Sequence, residues 1–310
     1  MSTASVDARR TTLALGCSKA ARAGMAGLLV SVLSAAPSSF RACAPEMFRA
    51  GRGEAAPPPV QEILRKAIER ARWDDEQNIA GKYIYTQRST VEELDSRDGV
   101  KKREERLLSV FPIEGRPYSR VIEKDGRPLS EKDAKLERER ERKFRQRLAD
   151  RKRRKERGER DGDDIDIDEQ LVSKYRFALT GREPVNGRPA YVLSFEPRSG
   201  DLPVKRKLDR LLNKVAGKVW IDAQDYEISR ADVHLAENVS AWGGMLASVR
   251  KFLLRVEQVK VDETAWLPSY VDAYFDGRLL IKSFHMKLKQ QNSDFRKVAP
   301  ESGVAGSLKP

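Results

Sequence analysis

The sequence predicts an α+β fold in which an antiparallel sheet, apolar on one side, is covered by helices and interrupted by a long charged helical insertion. Three observations predict it. The run from Gly217 to Leu288 divides into five segments, 218–222, 226–236, 252–261, 267–275 and 279–288, rich in β-branched, aromatic and leucine residues and separated by turn chemistry. Alternation places Val271, Ala273 and Phe275 on one face of a strand. In the next strand it places Leu280, Phe284, Met286 and Leu288 on one face, interrupted by Lys282. Residues 130–160 are almost continuously charged, unlike anything on either side. A sheet apolar on one face only needs helices, a second sheet or a ligand over that face.

The totals bound the functional classes. The chain of 310 residues has room for one large domain or two ordinary ones. Its apolar fraction of 39% is low and its charged fraction of 35% high, but the excess charge sits in one segment, which leaves enough apolar sequence for a core. A net charge of +13 favours polyanions, whatever the fold. Both cysteines, Cys17 and Cys43, precede residue 45. Removal of a leader would leave no thiol, which suits an oxidising compartment and excludes a disulfide framework or a cysteine-bound metal in the folded part. His234 and His285 lie in strand segments, with no HExxH and no nucleophile elbow, and are read as structural. No phosphate-binding glycine loop or metal-ligand spacing occurs, so the reading is a chain without catalytic residues, cofactor or metal.

Taken in order, residues 1–44 read as an export signal. Arg9, Arg10, Lys19 and Arg22 precede an apolar stretch at 23–36 that is short for a membrane span, with cleavage expected near 36–44. A stiff Pro/Ala-rich linker at 45–58 follows. Val60, Ile63, Leu64, Ala67, Ile68 and Ala71 then recur at helical spacing up to Trp73. Strands are expected at 83–94, 100–113 and 118–124, joined by Asp98-Gly99, Glu114-Gly115 and Asp125-Gly126. One turn chemistry recurs: Glu114-Gly-Arg-Pro117, Asp125-Gly-Arg-Pro128 and Asn186-Gly-Arg-Pro189, with Asp276-Gly-Arg-Leu279 close to it.

The insertion opens with Ser130 and Asp133 as a cap, and its few apolar residues predict a solvated helix projecting from a strand-to-strand connection. The acidic run 161–169 reverses the sign and lacks the spacing of a calcium loop. Strands resume at 175–180 and 190–196. A second amphipathic helix is expected at 203–215, with Val204, Leu208, Leu211, Leu212 and Val215 on one side. The folded domain is thus expected at 59–297, with 130–170 as its insertion and 298–310 as a disordered tail.

Gly217-Lys-Val-Trp-Ile-Asp222 followed by Tyr226-Glu-Ile-Ser-Arg-Ala-Asp232 resembles the central hairpin of the LolA/LolB-like carriers, the outer-membrane lipoprotein-sorting proteins, and Trp266-Leu-Pro268 resembles their next landmark. The resemblance covers roughly residues 60–125 and 175–295. It implies an unclosed antiparallel β-barrel, a half-barrel lidded by helices, in the periplasm, with a concave apolar face that receives acyl chains. The long charged insertion departs from that pattern. Inward positions expected to line such a cavity are Tyr83, Tyr85, Val219, Ile221, Val233, Phe275, Phe284 and Met286. The resemblance implies acyl chains of lipid or lipoprotein as partners, with envelope membrane proteins beside them, for a monomeric non-enzymatic carrier or sensor. An alternative makes the sheet a scaffold and Arg151, Lys152, Arg153, Arg154 and Lys155 a basic surface for anionic lipid, envelope polymer or nucleic acid. The export signal argues against nucleic acid.

Overall fold

A computed structural model of the chain describes residues 57–157, 167–200, 202, 204, 209–241, 247–279 and 282–298. The export signal, nearly all of the linker, most of the acidic run, residues 242–246 and nearly all of the expected tail lie outside the described residues. The order is α1 (Val60–Glu76), a 3-10 turn (Ile79–Lys82), β1 (Tyr83–Leu94), β2 (Val100–Ile113), β3 (Arg116–Lys124), β4 (Arg127–Pro128) and α2 (Glu131–Glu156). Then come α3 (Glu169–Val172), β5 (Tyr175–Val185), β6 (Arg188–Pro197), α4 (Asp209–Leu212), β7 (Val215–Asp222) and β8 (Ile228–Leu235). The last strands are β9 (Val239–Ala241), β10 (Ala247–Lys260), β11 (Trp266–Leu279) and β12 (Lys282–Lys297).

All twelve strands belong to one sheet, ordered β4-β3-β2-β1-β12-β11-β10-β8-β7-β6-β5, with β9 beside β10. Every pairing is antiparallel, and no ladder joins β4 to β5 among the described residues. This is the open half-barrel. The first strand closes against the last, with Tyr83 opposite Lys297 and Val91 opposite Leu288.

The recurrent turns explain the register. Glu114 and Gly115 have φ of 49° and 71°, Asp125 and Gly126 of 51° and 72°, and Asn186 and Gly187 of 50° and 78°. Two successive left-handed residues match the right-handed twist of the flanking strands, so these tight turns fix which side chains face each other. The fourth sequence, at Asp276, does not turn: β11 runs through Asp276 and Gly277 as far as Leu279. Gly277 is there for space, since a Cβ would lie 2.7 Å from the Ser248 carbonyl oxygen and 2.8 Å from the Phe275 ring.

Two further expectations are corrected. The helix expected at 203–215 is reduced, among described residues, to Asp209–Leu212, because Val215 is already committed to the β7 ladder opposite Leu235. The charged insertion is a helix as expected, but its middle is docked rather than projecting. Phe144 is buried 5.0 Å from the Tyr118 ring, and Tyr118 is fully buried. Tyr118 donates to Glu137 at 2.7 Å, Arg120 to Glu141 at 2.7 Å, and Arg140 to the Ser119 carbonyl. Ile113 and the half-buried Phe111 and Leu148 complete this small cluster.

Candidate ligand face

The register defines the inner face. Phe195, Gly217, Val233, Leu254, Ala273 and Leu288 stand side by side across β6, β7, β8, β10, β11 and β12. One row over, Leu193, Val219, Ala231, Val256 and Val271 repeat the pattern. These rows form the main core, and Ile63 and Ala67 of α1 pack into it, with Val60 and Leu64 at its margin. The glycine of the Gly217 motif is required by the bend of the sheet: a Cβ there would sit 2.0 Å from the Asp232 carbonyl oxygen.

Beyond β11 the same face changes character. Val271 is opposite Gln290, Gln290 opposite Ser89, and Ser89 opposite Arg106, all still on the inner side. Gln87, Ser89, Gln290 and Glu104 are buried. Gln87 donates to Asn292 at 3.0 Å, and Asn292 donates to the Pro268 carbonyl at 2.7 Å. The concave surface is therefore continuously apolar from β5 to β11, and from β12 to β2 it is mixed, with Gln87, Ser89, Glu104 and Gln290 among the apolar Leu288, Tyr85, Leu108 and Val110.

The structure brings Val219, Ile221, Val233, Phe275 and Met286 into the main apolar cluster. It places Tyr83 elsewhere, with Ile79, Ala265, Leu267 and the half-buried Trp73. The Tyr83 hydroxyl donates to Asp262, and burial together with that bond pushes its pKa far above the ordinary tyrosine range. Tyr85 packs its ring 5.3 Å from Phe295. Phe284 is half-buried on β12 opposite Gly277. The basic positions Lys152, Arg153 and Arg154 are exposed near the end of α2, and Arg151 is half-buried. Lys155 belongs to the same helix.

Sequence reasoning missed the polar groups that join α1 to the sheet. Arg70 donates to Glu227 at 3.1 Å and to the Thr264 carbonyl, and its guanidinium also lies 2.8 Å from Asp74 Oδ1. Gln258 donates to Glu227 at 3.0 Å. Asp74 shares a hydrogen bond with Glu227, and its pKa is pushed up to about 9, first by burial and then by that neighbour, against the pull of Arg70. Lys66 donates to the Tyr226 hydroxyl at 3.3 Å. Helical spacing in 60–76 could have shown that Arg70 and Asp74 share a face, but not what they meet.

A second polar assembly fastens the resemblance motif itself. Asp222 is fully buried and accepts from Arg188 at 2.7 and 2.9 Å and from the Gln224 and Asp225 N–H groups at 2.9 and 2.8 Å. Asp225 accepts from Trp266 Nε1 at 2.9 Å and lies 2.7 Å from Lys260 Nζ. Burial raises the Asp225 carboxyl, but Lys260, Trp266 and Arg188 outweigh it and hold its pKa below the usual range. Arg188 of a recurrent turn and Asp222 of the motif are thus one ion pair, its carboxylate buried and its guanidinium half-buried.

Among the described residues, no group of three or more His, Cys, Asp and Glu side chains is placed to hold a metal ion, and no helix is long and apolar enough to cross a membrane. No protein-family model and no curated protein matches the chain. Several solved structures do. A domain described as outer membrane lipoprotein-sorting, from Vibrio parahaemolyticus, is 11% identical, with 78% of this chain and 94% of that one covered at a TM-score of 0.33. A LolA superfamily protein from Nitrosomonas europaea is 11% identical, with 79% and 95% covered at 0.27. MucB in the Pseudomonas aeruginosa MucA/MucB complex is 13% identical, with 77% and 99% covered at 0.22. The half-barrel architecture follows from the strand pairing.

Proposed function

We propose that this chain is a non-enzymatic protein of the periplasm that holds acyl chains of lipid or lipoprotein against the apolar part of its concave face, as a carrier or an envelope sensor, with α1 as the movable cover. The observation that carries this reading is the unbroken apolar surface from β5 to β11, covered among the described residues chiefly by α1, whose apolar footprint is narrow, with Leu171 of α3 and Leu211 of α4 beside it. Among α1 side chains only Ile63, Ala67 and Ile68 are buried. At about 2 kcal/mol for each isoleucine and less for the alanine, burial of these side chains contributes roughly 5 kcal/mol. A fourteen-carbon chain brings about 10 kcal/mol of gross driving force at ~0.8 kcal/mol per methylene. A ligand of that size outcompetes the cover's own apolar contacts. Val60, Leu64 and Trp73 add half-buried apolar contacts, and the other ties of α1 to the sheet are the hydrogen bonds of Lys66 and Arg70.

The test is native mass spectrometry of the protein purified from its own envelope, with lipid extraction and uptake of a fluorescent fatty acid measured alongside. A stoichiometric co-purifying lipid or acylated peptide, and uptake that an Ala231→Trp variant loses while keeping a cooperative melt, are the expected results. Ala231 is buried in the middle of the apolar rows, so an indole there occupies the space a chain needs. A clean apo mass with no uptake by the wild type sinks the reading. Uptake unchanged in a folded Ala231→Trp variant places any ligand elsewhere.

A further inference from the structure

Docking sorts the charges of α2. Along the sequence this helix alternates acid and base, with thirteen Lys or Arg and seven Asp or Glu between Glu131 and Glu156. Of the twelve basic residues whose side chains are described ten are exposed, but among its acids only Glu131 and Glu156, at the two ends, are. The other five are half-buried: Glu137 and Glu141 are spent on Tyr118 and Arg120 of β3, while Glu139 and Asp150 pair along the helix with Lys143 and Arg153, which leaves the base in excess. Phe144 and Leu148 also turn to the sheet, so no apolar stripe faces outward; Leu136 is α2's one large exposed hydrophobic. The outward surface is a basic rod about 39 Å long at 1.5 Å per residue.

From this sorting we propose that the outward face of α2, with Arg138, Arg142, Lys143, Lys152, Arg153 and Arg154, docks on the surface of an anionic lipid bilayer. The shape selects the partner. A single phosphate needs donors that converge on one point, whereas these charges spread along a straight helix and match an extended flat anion. A nucleic acid read by stacking needs exposed aromatic side chains among the basic ones, and α2's one aromatic, Phe144, is buried. Without an outward apolar stripe the helix lies on the head groups and does not insert, so its binding is electrostatic and screened by salt. This site is separate from the concave face and does not depend on what that face holds.

The experiment is co-sedimentation of the full chain with vesicles of phosphatidylcholine alone and of phosphatidylcholine mixed with phosphatidylglycerol. Binding to the mixed vesicles only, falling steeply as salt is raised, is expected. Each basic residue near such a surface changes affinity about fivefold, so Lys152→Glu with Arg153→Glu and Arg154→Glu should weaken binding at least about 100-fold. Arg153→Lys with Arg154→Lys should bind as wild type, because a bilayer reads charge rather than guanidinium geometry. A thermal melt of each variant checks that α2 remains docked. Equal binding to both vesicle types, or a folded triple variant that binds like wild type, overturns the proposal. So does binding to soluble heparin or duplex DNA with none to vesicles. Ala231→Trp should bind the mixed vesicles as wild type; loss there, with the triple variant intact, would mean the vesicles report on the concave face instead.

Discussion

Replacing Asp74 by asparagine should stabilise the protein above neutral pH, although it removes a charge from within reach of an arginine. Asp74 has a pKa of 3.8 in an unfolded chain and about 9 in the folded one, because it is half-buried and hydrogen-bonded to the Glu227 carboxylate. Between those values the folded state holds a proton that the unfolded state releases, so stability is greatest below the unfolded value and falls as pH rises toward the folded one. The slope is about 1.4 kcal/mol per pH unit for one proton, or roughly 4 kcal/mol between about pH 5.5 and about pH 8.5. Partial solvent access to the pair reduces this to about 2 kcal/mol.

Asparagine keeps the shape of the protonated acid. Its amide can donate to Glu227 while its oxygen faces Arg70, and it never ionises. The assay is urea unfolding of both proteins across that pH range, followed by tryptophan fluorescence. The Asp74→Asn midpoint should match the wild type near pH 5 and exceed it increasingly as pH rises, with a melting temperature higher by roughly 4–8 °C at the alkaline end. Equal pH dependence in the two proteins would refute the shared proton, and an asparagine variant weaker at every pH would show that Asp74 works as a charged partner of Arg70.

Three further outcomes follow from the same geometry. Asp222→Ala should cost about 2–3 kcal/mol in urea unfolding, because it leaves two N–H groups without their acceptor and Arg188 with Asp225 alone, and a double-mutant cycle with Arg188→Ala should recover part of it as coupling. Gly187→Ala should cost about 1 kcal/mol through its φ of 78° alone, since nothing lies within 4 Å of the added methyl group. Phe144→Ala should release α2 from β3, read as faster amide exchange across 137–148, while the amides of β7, β8, β10 and β11 keep their protection.

Legibility in the sequence tracked the range of the interactions. The expected spans 83–94 and 100–113 coincide with β1 and β2, since an Asp-Gly turn and the strand pattern are encoded within a few residues of each other. β12 was expected to end at Leu288 and runs on to Lys297, because its inner positions there are Gln290 and Asn292, and a polar residue facing inward breaks an apolar pattern without breaking a strand. The solvated reading of α2 failed for a related reason: the helix docks with carboxylates onto a tyrosine and an arginine, and an apolar-stripe count is blind to such contacts. The apolar members of the candidate site were visible through alternation. Glu227, Asp74, Gln258 and the Arg188–Asp222 pair were not, since each acquires its role from a partner distant along the chain and brought close only by the sheet.

The pairing of β1 with β12 sets the order in which this molecule can be made. Tyr83 and Lys297 are roughly 200 residues apart and yet neighbours, so β1 has no partner on its second edge until the last strand has been synthesised. Until then β1, β2 and β3 can form only a meander whose inner side chains, Tyr85 and Val110 among them, lack the neighbouring strand. Contacts of such long span slow the search for the native state and keep incomplete chains soft. A chain cut before Lys282 loses more than a C-terminal strand: it also loses the ladder that holds the N-terminal four strands to the rest.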